Sequence, residues 1–129
     1  MRTVTVGWAG GKLAQDIDVG THRLRSDDEI EKGGEDTGPN PHDLLLASLG
    51  SCTAMTLKVY AERKGWPLRD VHVTLNGTPG TDGYVIDRVV TLDGELDAEQ
   101  RQRLHEIADR CPVHRTLLGD ITINSTAGA

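Results

Sequence analysis

The stretch Asn40-Pro41-His42-Asp43-Leu44-Leu45-Leu46-Ala47-Ser48-Leu49-Gly50-Ser51-Cys52-Thr53-Ala54-Met55-Thr56-Leu57, running on to Lys64-Gly65-Trp66-Pro67, decides the fold. Asn40 is a good helix cap, because its side-chain oxygen can accept an otherwise orphaned backbone N–H. Pro41 suits the first helical position, where a missing N–H costs nothing. Asp43 falls near the positive end of the helix dipole. Gly65 fits the residue that ends a helix, and Pro67 forbids its continuation. The pattern predicts one helix over residues 41–64, about 36 Å long at 1.5 Å per residue. From residue 44 to residue 57 it carries no charge. A helix that is apolar or small on every side is buried on every side. A chain of 129 residues struggles to surround it alone, so a second copy packing on it is expected.

On either side of this helix the pattern is one of strands. Residues 3–6 and 14–19 alternate with period two, separated by Gly10-Gly11, and residues 22–25 read as a third short strand. In that strand Arg23 and Arg25 share a face. After the helix, Val71, Val73 and Leu75 form one alternating set, and Ile86, Arg88, Val90 and Leu92 another. A turn over residues 78–83 makes them a hairpin. Asp97 and Gln100 form a capping-box pattern. The second helix that follows places Leu104, Ile107, Ala108 and Cys111 on one face before Pro112 interrupts it. One more turn is expected over residues 113–118 and a final strand over residues 121–124. The class is α+β: mostly antiparallel sheets packed on two main helices, in a single domain spanning residues 1–129.

Composition excludes several functions. With 14 basic and 20 acidic residues the net charge is −6, and only 3% of residues are aromatic. The basic footprint of phosphate-backbone binding is missing, so no nucleic acid partner is expected. No uncharged run approaches the length of a membrane span, and residues 1–7 lack an apolar signal core. The expectation is a cytoplasmic protein without a membrane partner. Residues 26–36 hold six acids and one base. This composition reads as a mobile, weakly protected loop.

Two cysteines, Cys52 and Cys111, are the main chemical constellation. In a reducing compartment such a pair is more often catalytic or redox-active than a permanent staple. Both lie on inward helix faces, where free cysteines also serve as small hydrophobes. Cys111-Pro112-Val113-His114 offers half of a zinc site, but the other histidines are dispersed, so no metal is expected.

Residues 38–56, with Tyr60-Ala61 and the distant Cys111-Pro112-Val113, resemble the OsmC/Ohr family (osmotically inducible protein C and organic hydroperoxide resistance), and within it a divergent OsmC-like branch. The resemblance covers nearly the whole chain in order. It implies an intertwined homodimer with a long buried central helix, and a cofactor-free peroxidase acting on organic hydroperoxides. By motif, Cys52 corresponds to the peroxidatic cysteine and Cys111 to the resolving one. A sulfenic acid on Cys52 would condense with Cys111 to a disulfide, and a small or protein dithiol would reduce it. In the better-known branches an Arg supports the thiolate and a Glu early in the central helix orients that Arg. Here the corresponding position is His42, with Asp43 beside it. Asp43 or Glu35 could take the carboxylate's part, and Arg23 and Arg25 are both open candidates for the Arg. The competing class is a dimeric protein on the same scaffold that binds a hydrophobic ligand or senses redox state without turnover.

Overall fold

The computed structural model describes residues 1–128, which form two compact units. The first, Met1–Leu45, holds a three-stranded antiparallel sheet in the order β1 (Val4–Trp8), β2 (Gln15–Val19), β3 (His22–Ser26). Gly10 and Gly11 turn β1 into β2 with φ of 83° and 102°, a region that only glycine enters freely. Strand register aligns Val4 with Val19, Val6 with Ile17, and Ile17 with Leu24. One face of this sheet is therefore apolar, and in the single chain it stays open: Val6 is 56% and Trp8 69% exposed. The opposite face carries Arg23 and Arg25 across from Asp18 and Asp16.

The acidic segment departs from its expected looseness. Ser26 and Asp27 are buried, and the Asp27 carboxylate is the hub of the loop. It accepts the Thr37 hydroxyl at 2.6 Å and the amides of Asp28, Thr37 and Glu35 at 2.8, 3.0 and 3.3 Å. The Asp27 amide and the Ser26 hydroxyl both donate to the Pro39 carbonyl, which ties the two ends of the loop together. A short 3₁₀ turn, Ile30–Lys32, fills the middle. Composition alone implies a solvated loop; the inward turn of one carboxylate builds a bonded one.

That hub predicts an acid-sensitive element. The Thr37 hydroxyl, and then the amides around it, hold the Asp27 carboxyl down at about 2 against the upward push of burial. The unfolded chain takes up the proton first. The loop's contribution to stability is therefore complete above about pH 4 and is lost as pH falls through the folded value. Urea titrations between about pH 5 and 2 should show a stability loss in the native chain that Asp27→Asn does not show. Equal slopes in the two proteins would remove Asp27 as the cause.

Helix α1 (Pro41–Lys64) begins in the first unit and continues into the second. Its start is a reciprocal cap: Asp43 N–H donates to Asn40 Oδ1 at 2.8 Å, and Asn40 N–H donates to Asp43 Oδ2 at 3.0 Å. Gly65 ends it with φ of 68°. Within the single chain α1 buries one stripe, Leu49, Gly50, Thr53, Leu57 and Ala61. Met55 and Val59 remain 67% and 47% exposed. By length and composition α1 is apolar enough to cross a membrane, with a mean hydropathy of 1.4 over eighteen residues. What speaks for a core helix is its packed stripe. Gly50 lies so close to the strand that follows α1 that a Cβ there would stand 2.7 Å from Leu75 Cδ1.

From Leu46 on, the second unit adds β4 (Leu68–Gly80), β5 (Gly83–Gly94), α2 (Ala98–Ala108) and α3 (Pro112–Leu118). Pairing of β4 with β5 runs out to Gly80 opposite Gly83, so the turn between them is tighter than residues 78–83. Pro79 is tolerated because a two-stranded ribbon leaves each strand an unpaired edge. Leu57, Ala61, Leu68, Leu92, Leu104, Ile107 and Ala108 form the core, with Leu57 and Leu104 fully buried. Arg101 donates to the carbonyls of Leu92, Gly94 and Leu96 and so satisfies the turn into α2. The Asp97–Gln100 capping box forms as the sequence predicts.

Two expectations are corrected. The helix predicted to reach Cys111 stops at Ala108, and Cys111 is extended, with φ −65° and ψ 143°. The ring of Pro112 disfavours helical backbone in the residue before it. The strand expected over residues 121–124 is not formed, and Ile121 and Ile123 stay 61% and 83% exposed. Alternation gives a strand its faces, but a strand also needs an edge to bond.

Candidate active site

Cys52 lies midway along α1 and is half-buried; Cys111 is fully buried; both are free thiols. The 58 residues between them include the β4–β5 hairpin and α2, whose packing returns the chain to α1. Cys111 reaches α1 at the residue that follows Cys52. Its Sγ lies 3.7 Å from Thr53 Oγ1, and Thr53 is itself fully buried.

Cys111 also caps α3. Its sulfur accepts the His114 backbone N–H at 3.4 Å. The Cys-x-x-His spacing that suggested half of a metal site thus serves as a helix cap through the His114 amide. Among the described residues no group of three or more His, Cys, Asp or Glu is arranged to hold a metal ion.

Arg88 is the residue that reading the sequence did not single out. Its position on β5 continues the inward register of Ile86, Val90 and Leu92, and its side chain is only 12% exposed. Nη1 donates to Thr53 Oγ1 at 3.1 Å and Nη2 to Asp109 Oδ1 at 2.8 Å. One guanidinium therefore links α1, β5 and the connection between α2 and α3 that carries Cys111. The available signal was a charged residue at an apolar position of an alternating strand. An apolar residue there would serve the core better, so the charge needs partners.

The other sequence-derived candidates lie in the first unit, each with its own local setting. Arg23 forks onto Asp18 at 2.7 and 3.0 Å, on an exposed sheet face, and these hydrogen bonds hold that carboxyl below the ordinary range. Arg25 stands opposite Asp16 in the same sheet. Glu35 accepts the Lys12 backbone N–H at 3.0 Å and secures the β1–β2 turn. Asp43 is half of the α1 cap, and His42 sits exposed in the first turn.

Beside the exposed flank of α1 runs an open groove of about 430 Å³, lined by Ala54, Met55, Lys58, Val59, Arg69 and Val71 among others. Met55 is three residues after Cys52, so the two share a helix face. The groove offers apolar walls, with Lys58, Arg69 and the acid Asp70 at its edge.

Residues 33–126 match the family model described as OsmC-like protein. No curated protein matches the sequence. Several solved structures share the fold. A Psychrobacter arcticus protein named for osmotic stress induction and a detoxification response superposes with a TM-score of 0.78 at 21% identity, covering 90% of this chain and 88% of that one. An OsmC-like protein from Mycoplasma pneumoniae gives 0.73 at 19% identity, covering 92% and 86%. The organic hydroperoxide resistance protein OhrB of Bacillus subtilis gives 0.64 at 21% identity, covering 93% and 92%. At these identities the likeness is one of fold.

Proposed function

Because the chain belongs to the OsmC-like protein family, we propose that it is a cytoplasmic thiol peroxidase that reduces organic hydroperoxides to alcohols in oxidative-stress defence. The observation that carries this reading is the approach of Cys111 to α1, 3.7 Å from the residue next to Cys52. A fold neighbour named for organic hydroperoxide resistance supports the substrate class.

The chemistry uses only the chain's own thiols and a dithiol. The Cys52 thiolate attacks the distal, hydroxyl-bearing oxygen of ROOH, the O–O bond breaks, and the alkoxide leaves as ROH after taking a proton. Cys52 is oxidised to the sulfenic acid. The Cys111 sulfur then displaces hydroxide from Cys52, forming the disulfide and, with the Cys111 proton, water. A small or protein dithiol reduces the disulfide by exchange and becomes oxidised itself. The groove at Met55 and Val59 suits a fatty or aromatic peroxide tail better than hydrogen peroxide. Arg23 and Arg25 are the candidate cations for support of the thiolate, with Glu35, His42 and Asp43 as candidate orienting groups.

The working form is a homodimer. The open face of the first sheet and the exposed side chains of Ile121 and Ile123 are apolar surface that a single chain leaves in water. Burial against a second copy would recover roughly 25 cal/mol for each Å² covered. Light scattering at micromolar concentration should return twice the chain mass.

The direct test is consumption of cumene hydroperoxide against a supplied dithiol. Peroxide loss should match dithiol oxidised, and hydrogen peroxide should be a markedly poorer substrate. The same groove favours the second reading, a binder of apolar ligands. If the protein holds a fatty acid but consumes no peroxide with any dithiol, that reading replaces the first.

A further inference from the structure

The mostly buried guanidinium of Arg88 remains without a part in the steps above. Its two bonds converge on the surroundings of a single atom, Cys111 Sγ. One goes to the hydroxyl that touches this sulfur; the other goes to Asp109, two residues before it. Thr53 has one hydroxyl proton, which goes to the Leu49 carbonyl at 2.7 Å. Its lone pairs take the Arg88 donor and face Cys111. A Cys111 thiol can donate to that oxygen. A Cys111 thiolate can instead take the hydroxyl proton if the Thr53 rotor turns from Leu49. Arg88 keeps the oxygen in place in either case.

Cys52 and Thr53 are neighbours in sequence but point about 100° apart around the helix. A disulfide needs the sulfurs near 2.05 Å with restricted Cα separation. Cys111 must therefore pass from Thr53 to Cys52, a short step around α1, and the start of that step has to be reproducible. Resting on the peroxidase reading, we propose that Arg88, acting through Thr53 and Asp109, is the positioning residue for resolution: it holds Cys111 where it can displace hydroxide from the oxidised Cys52. The S–S bond forms as the Cys52 S–O bond breaks, and hydroxide leaves as water with the Cys111 proton. Arg88 touches neither reacting sulfur and exchanges no proton. Asp109 is 69% exposed, so the bond to Thr53 is the less screened of the two.

The experiment separates the two half-steps. Cys52 sulfenic acid formation is timed in the Cys111→Ser background with and without Arg88→Met. Disulfide closure is timed by mass spectrometry in the native pair with and without Arg88→Met. The first rate should agree within about twofold, and closure should slow by about tenfold or more, with more sulfinic acid formed at high peroxide. Thr53→Val should show the same slow closure, Thr53→Ser should restore it, and the Arg88→Met/Thr53→Val double variant should be no slower than either single one. Additive losses would assign Arg88 a merely structural part and overturn the proposal, as would unchanged closure. Diamide-driven closure of the reduced pair makes the test independent of peroxide: diamide adds to one thiol, the other displaces it, and the hydrazine leaves with both electrons. If the native protein ignores peroxide, the peroxidase reading fails, while diamide closure still tells whether Arg88 delivers Cys111. Equal diamide rates in Arg88→Met and the native chain would sink the inference alone. Should Arg88→Met not fold, closure rates in Thr53→Val against Thr53→Ser make the same distinction.

Discussion

Replacing Cys52 by Ser abolishes turnover of an organic hydroperoxide, whereas Cys111→Ser still consumes about one equivalent and then stalls. This expectation follows from where the proposed mechanism needs each thiol. Cys52 is half-buried in mid-helix, held by the hydrogen-bonded backbone of α1 and flanked by Ser51 and Thr53. A substrate can reach it without moving the helix. Cys111 is fully buried at the cap of a short helix, in backbone that is already extended. It is poorly placed to meet a bulky peroxide and well placed to move by rotation of a few dihedrals. With Cys111 removed, the first oxidation still proceeds, but the sulfenic acid has no thiol to condense with and goes on to sulfinic acid when peroxide is in excess. After one equivalent of cumene hydroperoxide, the native chain should lose two hydrogens as a Cys52–Cys111 disulfide. Cys111→Ser should gain one oxygen, located at Cys52. At steady state the two variants look alike, so the single-turnover measurement separates them. If peroxide disappears at the native rate while Cys52 stays reduced, or if neither thiol reacts, the peroxidase reading is wrong.

What the sequence made legible was whatever is specified locally. The ends of α1 could be placed because Asn40 and Pro41 at one end and Gly65 and Pro67 at the other each act within a turn or two of backbone. The same holds for α2, whose capping box is complete within four residues. Alternation placed the inward faces of β4 and β5. The misses share a different cause. Arg88 acts on Thr53, 35 residues away, and on Asp109, 21 residues away, and no window of sequence contains all three. The isoleucines at 121 and 123 carry a strand's alternation without an edge to bond, and periodicity is blind to edges. In the acidic loop a single carboxylate turned inward outweighs five turned outward, which a sum of charges does not register. Charge counts report solvation, whereas hydrogen-bond geometry decides order.

That loop gives the second large effect, a contrast between adjacent glycines. Gly33 has φ of 97°, and a Cβ there would find its nearest neighbour, Leu13 Cδ1, at 3.8 Å. Alanine at 33 therefore carries left-handed strain of roughly 1–2 kcal/mol but meets no wall. Gly34 is buried, and a Cβ on it would be driven into the carbonyl of Asp28, 2.6 Å from its carbon and 2.8 Å from its nitrogen. Backbone atoms cannot swing aside as a side-chain tip can, so Gly34→Ala must part residue 34 from residue 28. The bonds that cross this contact go with it: Gly34 N–H to Glu29, Asp36 N–H to Asp28, and the Glu35 and Thr37 amides to the Asp27 carboxylate. Hydrogen exchange reads these amides one by one. In Gly34→Ala, protection at Glu35, Asp36 and Thr37 should fall by about a hundredfold or more, as for a local opening that has lost its closing bonds. In Gly33→Ala it should stay within about tenfold of the native chain, because only the turn's own strain has changed. Exchange in the β4–β5 sheet should be the same in both, since its ladder is built entirely from Leu68 onward. Equal protection in the two variants, or amides already unprotected in the native chain, would return the segment to a solvated loop and take Asp27 out of its role as the hub.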